Sequence, residues 1–346
     1  MSPLRVLSIG AGAIGTYVGG SLALHGHEVV FVERAEVAVE LKSRGLQLTL
    51  GGRDYPIRDP QVLPSLEAAL SLGNYDVALF ALKSYDTQGF LAGLQASPAL
   101  IEAFPSILCL SNGVDNEPAL EKVLGPQKVI AGTVTSAVGR PAPGAIVCER
   151  LRGVGVAAGH PLSARLTEAL DEAGLQSRMF PKAIDMKWSK MLTNLIANAS
   201  SAILDLSPAQ IFADPALYRL EIRQLREALA VMRAQKIGVV DLPGTPVRLL
   251  AFAARYLPLT ISRPFMKKAV GGGRGGKMPS FHIDLHSGRG KSEVEYLNGA
   301  VVRAGEQTGI ATPVNRVLTD TLLQLAARNI PLEAFSNQPE RLLRLI

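Results

Sequence analysis

The sequence predicts an α/β nucleotide-binding domain of the Rossmann type, followed by an all-helical domain. A glycine-rich turn near residue 10 joins an apolar strand pattern to a helix pattern, and strands and helices alternate as far as about residue 180. From residue 181 onward the patterns are long and helical instead. A chain of 346 residues also exceeds the usual size of one hydrophobic core. We therefore predict two domains, 1–180 and 181–346.

The composition narrows the class of protein. Hydrophobic residues make up 47% of the chain and charged residues 19%, enough apolar material for two cores. No run of ~18 apolar residues occurs, and the apolar N-terminal stretch has no cleavage region, so we expect a cytoplasmic protein that does not enter membranes. The net charge of +6 is modest and spread out, which disfavours nucleic acid and suits an anionic small molecule.

The cysteines and histidines indicate no metal site. Cys109 and Cys148 are the only cysteines, and both lie in strand-like runs without metal-ligand spacing, so we interpret them as core residues in a reducing compartment. His282 and His286 share an i, i+4 spacing, but no further histidine or carboxylate pattern accompanies them. A structural or surface role is therefore the favoured interpretation of this pair.

The glycine-rich turn predicts dinucleotide binding. Gly10 lets the first strand turn sharply, Gly12 lets a pyrophosphate approach the backbone, and Gly15 lets the following helix pack closely on the sheet. A second strand, 28–32, follows the helix, which is the context that this motif requires. The predicted phosphate contacts are Gly10, Ala11, Gly12, Ala13, Ile14 and Gly15.

Polar residues follow three of the predicted strands. Glu33 and Arg34 stand where the cofactor ribose is recognised, and they give opposite signals, since an acid favours NAD and an arginine favours NADP. Lys83 follows the apolar run 75–82, and Asn112 follows the run 106–110. Because ligands bind beyond the carboxyl ends of parallel strands, we place both residues near the cofactor. Further predicted elements are the strands 46–50, 129–137, 145–148 and 154–158 and the helix 162–173.

The second predicted domain carries a polar row on an apolar helix. Lys190, Asn194 and Asn198 are spaced i, i+4, i+8 and so would share one helical face, where they could bind a ligand or satisfy neighbouring backbone. The basic, glycine-rich segment 267–277 is predicted to be flexible, and it could contact an anion or lie in solvent. Helices are predicted over 217–235, 249–256 and 313–328, with another opening at Glu293.

Taken together, these motifs resemble the ketopantoate reductase (2-dehydropantoate 2-reductase) family over essentially the whole chain. Gly10 to Gly15, Arg34, Lys83 and Asn112-Gly113 resemble its nucleotide motifs. The runs 188–198 and 279–299 resemble its two substrate signatures. Ser111 differs from the more usual glutamine or histidine, and the segment before Ser280 departs from the family pattern next to the substrate motif.

The resemblance implies a fold and an activity. It implies a C-terminal domain like that of 6-phosphogluconate dehydrogenase, with the active site in a cleft between the domains, and NADPH-dependent reduction of ketopantoate on the route to coenzyme A. The implied catalytic residues are Lys190, as general acid, and Glu293. The implied substrate ligands are Asn112, Lys190, Asn194, Asn198 and Ser280. A different 2-keto acid, or a protein that only senses NADP(H), are the alternatives, and a homodimer is compatible with the sequence.

Overall fold

A computed structural model describes residues 2–274, 278–288 and 290–346. The chain divides into two compact units: the first holds residues 1–187 and 242–245, and the second holds 188–241 and 246–346. The first unit is α/β and the second is helical, which confirms the predicted fold class. The predicted domain boundary at residue 180 coincides with the end of the last strand of the first unit.

The first unit is built on an eight-stranded sheet. Together with a second, smaller sheet, it accounts for twelve strands among the described residues. These strands are β1 Arg5–Ile9, β2 Glu28–Val32, β3 Leu46–Leu50, β4 Arg53–Ile57, β5 Gln61–Leu63, β6 Val77–Phe80, β7 Ile107–Cys109, β8 Val129–Val134, β9 Ala137–Ala142, β10 Ala145–Arg150, β11 Val154–Ala157 and β12 Ser177–Phe180. The order in the large sheet is β12-β11-β8-β7-β6-β1-β2-β5, and the neighbours are parallel except β11 and β8. The strand order reverses between β1 and β6, which is where doubly wound sheets bind ligands.

Both faces of the large sheet are buried. Alternate residues of β1 point to opposite faces, so Val6 joins one apolar cluster and Leu7 joins the other, and both are fully buried. Such two-sided burial explains why the central strands are continuous apolar runs rather than alternating ones. The helices of this unit are α1 Ala13–Leu24, α2 Ala35–Arg44, α3 Leu66–Leu70, α4 Thr87–Gln95, α5 Pro98–Ala103, α6 Asn116–Leu124 and α7 Ser163–Leu170.

A second sheet, of order β4-β3-β10-β9, belongs to the first unit. The sequence predicted one continuous strand over 129–137, and this prediction was wrong, because β8 ends at Val134 and β9 begins at Ala137. The Thr135 hydroxyl donates to the carbonyl of Gly153, and the Ser136 hydroxyl accepts from the backbone N–H of Gly153. These side-chain bonds satisfy backbone groups at the turn and so let the chain pass from one sheet to the other.

The second unit is helical. After α8 Ala183–Leu195, which starts in the first unit, its helices are α9 Ala199–Leu204, α10 Pro208–Ala213, α11 Pro215–Ala234, α12 Val247–Tyr256, α13 Leu259–Arg274, α14 Ser280–His286, α15 Asn298–Thr308, α16 Pro313–Ala326 and α17 Pro339–Leu343. The long α11 is capped by Asp214, whose carboxylate accepts the backbone N–H groups of Ala216 and Leu217. No helix among the described residues is both long and apolar enough to cross a bilayer.

The prediction that the segment 267–277 is flexible was wrong for its first part. Residues 267–274 form the last turns of α13, and residues 275–277 lie outside the described residues. Glycine disfavours helix by about 1 kcal/mol per residue, but α13 packs against α10, and a helix that is already nucleated extends cooperatively. Local composition was therefore a poor guide here.

Candidate functional site

The glycine-rich turn has the geometry that a dinucleotide requires. Gly10 has φ +90°, a left-handed conformation that favours glycine, and a Cβ on Gly15 would lie 1.9 Å from the carbonyl oxygen of Gly10. A Cβ on Gly12, in contrast, would meet no atom within 4 Å. Gly12 is also the N-cap of α1, and no side chain of a described residue caps that helix. The first N–H groups of α1 therefore have neither an intrahelical partner nor a side-chain cap, and the turn fits a pyrophosphate.

Glu33 holds the turn rather than facing away from it. Its carboxylate accepts the backbone N–H of Ala11 at 2.8 Å and that of Arg34 at 3.2 Å. Ala11 is one of the predicted cofactor contacts, and its N–H is thus engaged within the protein. Arg34 is exposed, and its guanidinium makes no hydrogen bond or ion pair with any described residue. Of the two residues that gave opposite signals in the sequence, the glutamate accepts two backbone hydrogen bonds and the arginine is exposed to solvent.

The ends of β6 and β7 are joined by hydrogen bonds. Ser84, directly after Lys83, donates from its hydroxyl to the carbonyl oxygen of Asn112 at 2.7 Å, and the side-chain amide of Asn116 donates to the same oxygen at 2.6 Å. Ser111 donates its hydroxyl to the carbonyl of Leu82 at 2.7 Å. The structure therefore brings the backbones of the two predicted residues, Lys83 and Asn112, together at the carboxyl edge of the sheet.

A buried ion pair lies beside this edge, and the sequence analysis missed it. The Lys187 ammonium is 2.7 Å from the Glu117 carboxylate, and it donates to the carbonyl of Ser111 at 2.7 Å and to that of Gly132 at 3.3 Å. Burial disfavours the ammonium, but the attraction of Glu117 outweighs this, and the pKa of Lys187 is raised. The pair fixes the start of α8 on the strand ends. Nothing in the local sequence indicated that these two residues, seventy positions apart, form a pair.

The prediction that Lys190, Asn194 and Asn198 lie on one continuous helix was wrong. Lys190 and Asn194 lie one turn apart on α8, but α8 ends at Leu195, and Asn198 is instead the N-cap of α9. Ala197 between them has φ +48°, and its backbone N–H donates to the Glu221 carboxylate at 2.7 Å. Glu221 is fully buried and thereby satisfies a backbone donor at the break. The sequence spacing could not reveal this partner on a distant helix.

The break places Asn198 against a residue from the second signature. The amide nitrogen of Asn198 is 3.3 Å from the Ser280 hydroxyl, and its amide oxygen accepts the backbone N–H of Phe281 at 3.0 Å. The same amide nitrogen donates to the carbonyl of Asn194 at 3.0 Å. Three of the predicted substrate ligands, Asn194, Asn198 and Ser280, are therefore directly connected, although 82 residues separate the last two.

Glu293 is buried, with 1% of its surface exposed, and opens a single 3₁₀ turn, Glu293–Tyr296. The hydroxyl of Ser292 accepts the N–H of Val294 and so caps this turn. The helix predicted to open at Glu293 begins five residues later, as α15. At its start, Asn298 donates to Gln224 and to Asn315, so this member of the signature has a structural role in the core. Lys190 is half-buried and Ser280 is exposed.

The fold is that of a two-unit protein, with a doubly wound α/β sheet of the nucleotide-binding type in the first unit and helices in the second. Models of the ketopantoate reductase PanE/ApbA family match residues 6–158, and those of its C-terminal domain match residues 182–326. The chain therefore belongs to the ketopantoate reductase family, which confirms the resemblance noted in the sequence.

Named relatives and solved structures agree with this assignment. The chain is 26% identical to a 2-dehydropantoate 2-reductase of Halobacterium salinarum, with 94% of this chain and 100% of the relative covered. It is 27% identical to that of Archaeoglobus fulgidus, over 91% of this chain and 95% of the relative. A crystal structure of a PanE/ApbA family ketopantoate reductase from Ralstonia eutropha JMP134 superposes with a TM-score of 0.77 at 25% identity, covering 94% and 99% of the two chains. D-mandelate dehydrogenase with NADH and anilino(oxo)acetate shares the fold, with a TM-score of 0.74 at 21% identity and the same coverage.

Proposed function

We propose that this protein reduces 2-dehydropantoate (ketopantoate) to pantoate with NADPH, on the route to pantothenate and coenzyme A. The observation that carries the proposal is the connection of Asn198 to both Ser280 and Asn194. Two separate stretches of the sequence contain these predicted substrate ligands, and the Asn198 amide bonds to the hydroxyl of Ser280 and to the backbone carbonyl of Asn194. The names of the curated relatives support ketopantoate as the first substrate to test.

The first unit would hold the cofactor. The open position at Gly12 and the uncapped start of α1 are suited to a pyrophosphate. Arg34, with its exposed guanidinium, would pair with a 2′-phosphate, and Glu33 would act mainly as a brace of the turn. Lys83 and Asn112 would contact the cofactor from the strand ends. When bound, the dihydronicotinamide supplies hydride to the carbonyl carbon of the substrate.

The second unit would bind the keto acid and provide the proton. Lys190 would donate a proton to the developing alkoxide and stabilise it by its positive charge. Asn194, Asn198 and Ser280 would hold polar groups of the substrate by hydrogen bonds, with Asn112 assisting. Glu293 would accept a hydrogen bond from the hydroxyl group of the substrate and would position Lys190.

Another 2-keto acid is the second candidate. The solved structure of D-mandelate dehydrogenase carries NADH and anilino(oxo)acetate, so the fold also accommodates an aromatic 2-oxo acid analogue and the non-phosphorylated cofactor. A protein that binds NADP(H) without turnover is disfavoured, because it would need neither Lys190 nor Glu293.

The experiment is NADPH consumption by the purified full chain with ketopantoate, with phenylglyoxylate and NADH as the alternative substrate and cofactor. We expect the highest kcat/KM with ketopantoate and NADPH. Lys190→Ala should lower kcat by ~10² to 10⁴, because the general acid would be lost, and it should leave NADPH affinity nearly unchanged. Lys182→Ala, at an exposed lysine near the start of α8, is the matched control. Turnover of phenylglyoxylate but not of ketopantoate would refute the ketopantoate proposal. Full activity of Lys190→Ala would refute the proposed role of the lysine.

A further inference from the structure

A second cluster of polar side chains lies in the helical unit and has no part in the proposed reaction. His282 and His286 of α14 stand beside Asp205, and their candidate ligand atoms all lie within 4.8 Å of one another. The Nε2 atom of His282 is 2.7 Å from the carboxylate of Asp205, and the centroids of the two imidazole rings are 4.2 Å apart. Asp205 is half-exposed, so solvent reaches the cluster.

The backbone explains why these residues meet. Positions i and i+4 of a helix share one face, so α14 presents both imidazoles on the same side. Asp205 is the C-cap of α9 and has φ +53°, a conformation that aspartate tolerates better than most residues. The sequence showed the histidine pair, but it could not show that the end of another helix supplies the carboxylate.

We propose that Asp205, His282 and His286 bind one divalent transition-metal ion of the zinc type. Two imidazole nitrogens and one carboxylate oxygen are a donor set that zinc and nickel accept, whereas magnesium and calcium prefer oxygen alone. Ligand atoms around tetrahedral zinc lie about 3.3 Å apart, from metal–ligand distances of about 2.0–2.1 Å. The His282 and Asp205 ligand atoms are 2.7 Å apart and all three lie within 4.8 Å of one another, so side-chain rotation can bring them to this spacing, with water in the remaining position.

The charges near the site have opposing effects. Neutral imidazole is the form of histidine that binds a metal, and two imidazole rings stand here beside one carboxylate. The Asp205 carboxylate attracts a cation. Arg328, whose guanidinium donates to the carbonyl of Leu285, adds a positive charge that weakens binding of the ion. We therefore expect moderate affinity rather than that of a closed structural zinc site.

The ion would link α14 to the C-terminal end of α9. At the other end of α9, the N-cap Asn198 already accepts the N–H of Phe281 and contacts Ser280, the first residue of α14. With metal bound at Asp205, the two helices would be linked at both ends of α9. The metal would thus restrict the motion of the segment that carries Ser280. This inference does not depend on the reaction assigned above.

Calorimetric titration of the chelator-treated full chain with ZnCl₂ tests the proposal, and MgCl₂ is the comparison salt. We expect one zinc ion per chain with a micromolar Kd, no magnesium binding, and a rise in Tm with zinc that EDTA reverses. His286→Ala and Asp205→Asn should each weaken binding at least tenfold. Asn retains the left-handed C-cap and a hydrogen-bonding oxygen, so this variant should fold.

The control is His25→Ala, at an exposed histidine of the first unit, which should bind zinc like the wild type. The thermal shift gives a readout that is independent of catalysis. Absence of saturable zinc binding would overturn the proposal. Wild-type affinity in both His286→Ala and Asp205→Asn would also overturn it, by placing the ion elsewhere.

Discussion

Replacing Lys187 by methionine should destabilise the first unit strongly. Methionine keeps an unbranched side chain but removes the charge, so the Glu117 carboxylate, on a residue only 7% exposed, loses its counter-ion. The carbonyl of Ser111 also loses a donor at 2.7 Å. Breaking a buried ion pair from one side typically costs about 3–5 kcal/mol, because an uncompensated charge remains. We expect Lys187→Met to lower the free energy of unfolding by that amount.

The double variant Lys187→Met/Glu117→Leu separates charge from packing. When both ions are replaced by apolar groups, no buried charge is left, and such replacements are often nearly neutral. The carbonyl groups of Ser111 and Gly132 still lack their donor, at a cost of about 1–3 kcal/mol. The double variant should therefore be more stable than Lys187→Met by about 2 kcal/mol.

Thermal unfolding followed by circular dichroism measures both effects. A unit of this size loses about 2–4 °C of Tm per kcal/mol, so Lys187→Met should unfold roughly 6–20 °C below the wild type. Lys182→Met, at an exposed lysine directly before α8, is the control and should shift Tm little. Equal Tm values for the two single variants, or a double variant less stable than Lys187→Met, would refute the role of this ion pair.

The same pair predicts a dependence on pH. Because the pKa of Lys187 is raised in the folded protein, its contribution is present below the unfolded value of about 10.4 and is lost as the pH rises through the folded value. The stability difference between wild type and Lys187→Met should therefore shrink above about pH 10.4. A difference that stays constant across this alkaline range would contradict the ionic role.

Four further substitutions test the nucleotide turn and the broken helix. Arg34→Ala should weaken NADPH binding by roughly 1.5–3 kcal/mol and leave NADH unaffected, as measured by fluorescence titration of both cofactors. Gly12→Ala should preserve Tm but weaken nucleotide binding about tenfold or more, whereas Gly15→Ala should lower stability by at least about 1–3 kcal/mol, since its Cβ meets backbone at 1.9 Å. Glu221→Ala should destabilise the helical unit by about 3 kcal/mol or more in urea unfolding, because a buried carboxylate with three donors is lost.

Each of these changes has a control. Arg44→Ala alters an exposed arginine of α2 and should leave both cofactor affinities unchanged. Gly26→Ala, at a position with open space around its Cβ, tests the strain of a left-handed glycine without crowding. Glu306→Ala removes an exposed carboxylate and should change stability little. A stronger preference for NADH in the wild type would show that Glu33, rather than Arg34, selects the cofactor.

Local chemistry in the sequence determined much of the fold. The positions of Gly10, Gly12 and Gly15 between an apolar strand and a helix specified the turn, because steric requirements at each glycine are local. The continuous apolar runs specified strands buried on both faces. The residues Lys83 and Asn112 could be placed near each other from topology alone, since parallel strands end at one edge of a sheet.

Partners that are distant in sequence were decided only by the tertiary structure. The spacing of Lys190, Asn194 and Asn198 predicted one continuous helix, but the Glu221 carboxylate of α11 satisfies the N–H of Ala197 and stabilises a break. The carboxylate of Glu33 could equally have faced a ribose, and only its distance from the Ala11 nitrogen showed that it braces the turn.

The ion pair of Lys187 with Glu117 and the meeting of Asp205 with the two histidines of α14 have the same explanation. Periodicity reports which face of an element is apolar, because burial acts on each residue separately. Pairing of charges, hydrogen bonds and metal ligands depends on distances between elements, and these are set by packing of the whole unit. The sequence therefore determined the fold class and the nucleotide turn, whereas the polar connections that shape the candidate site arose only from the three-dimensional arrangement.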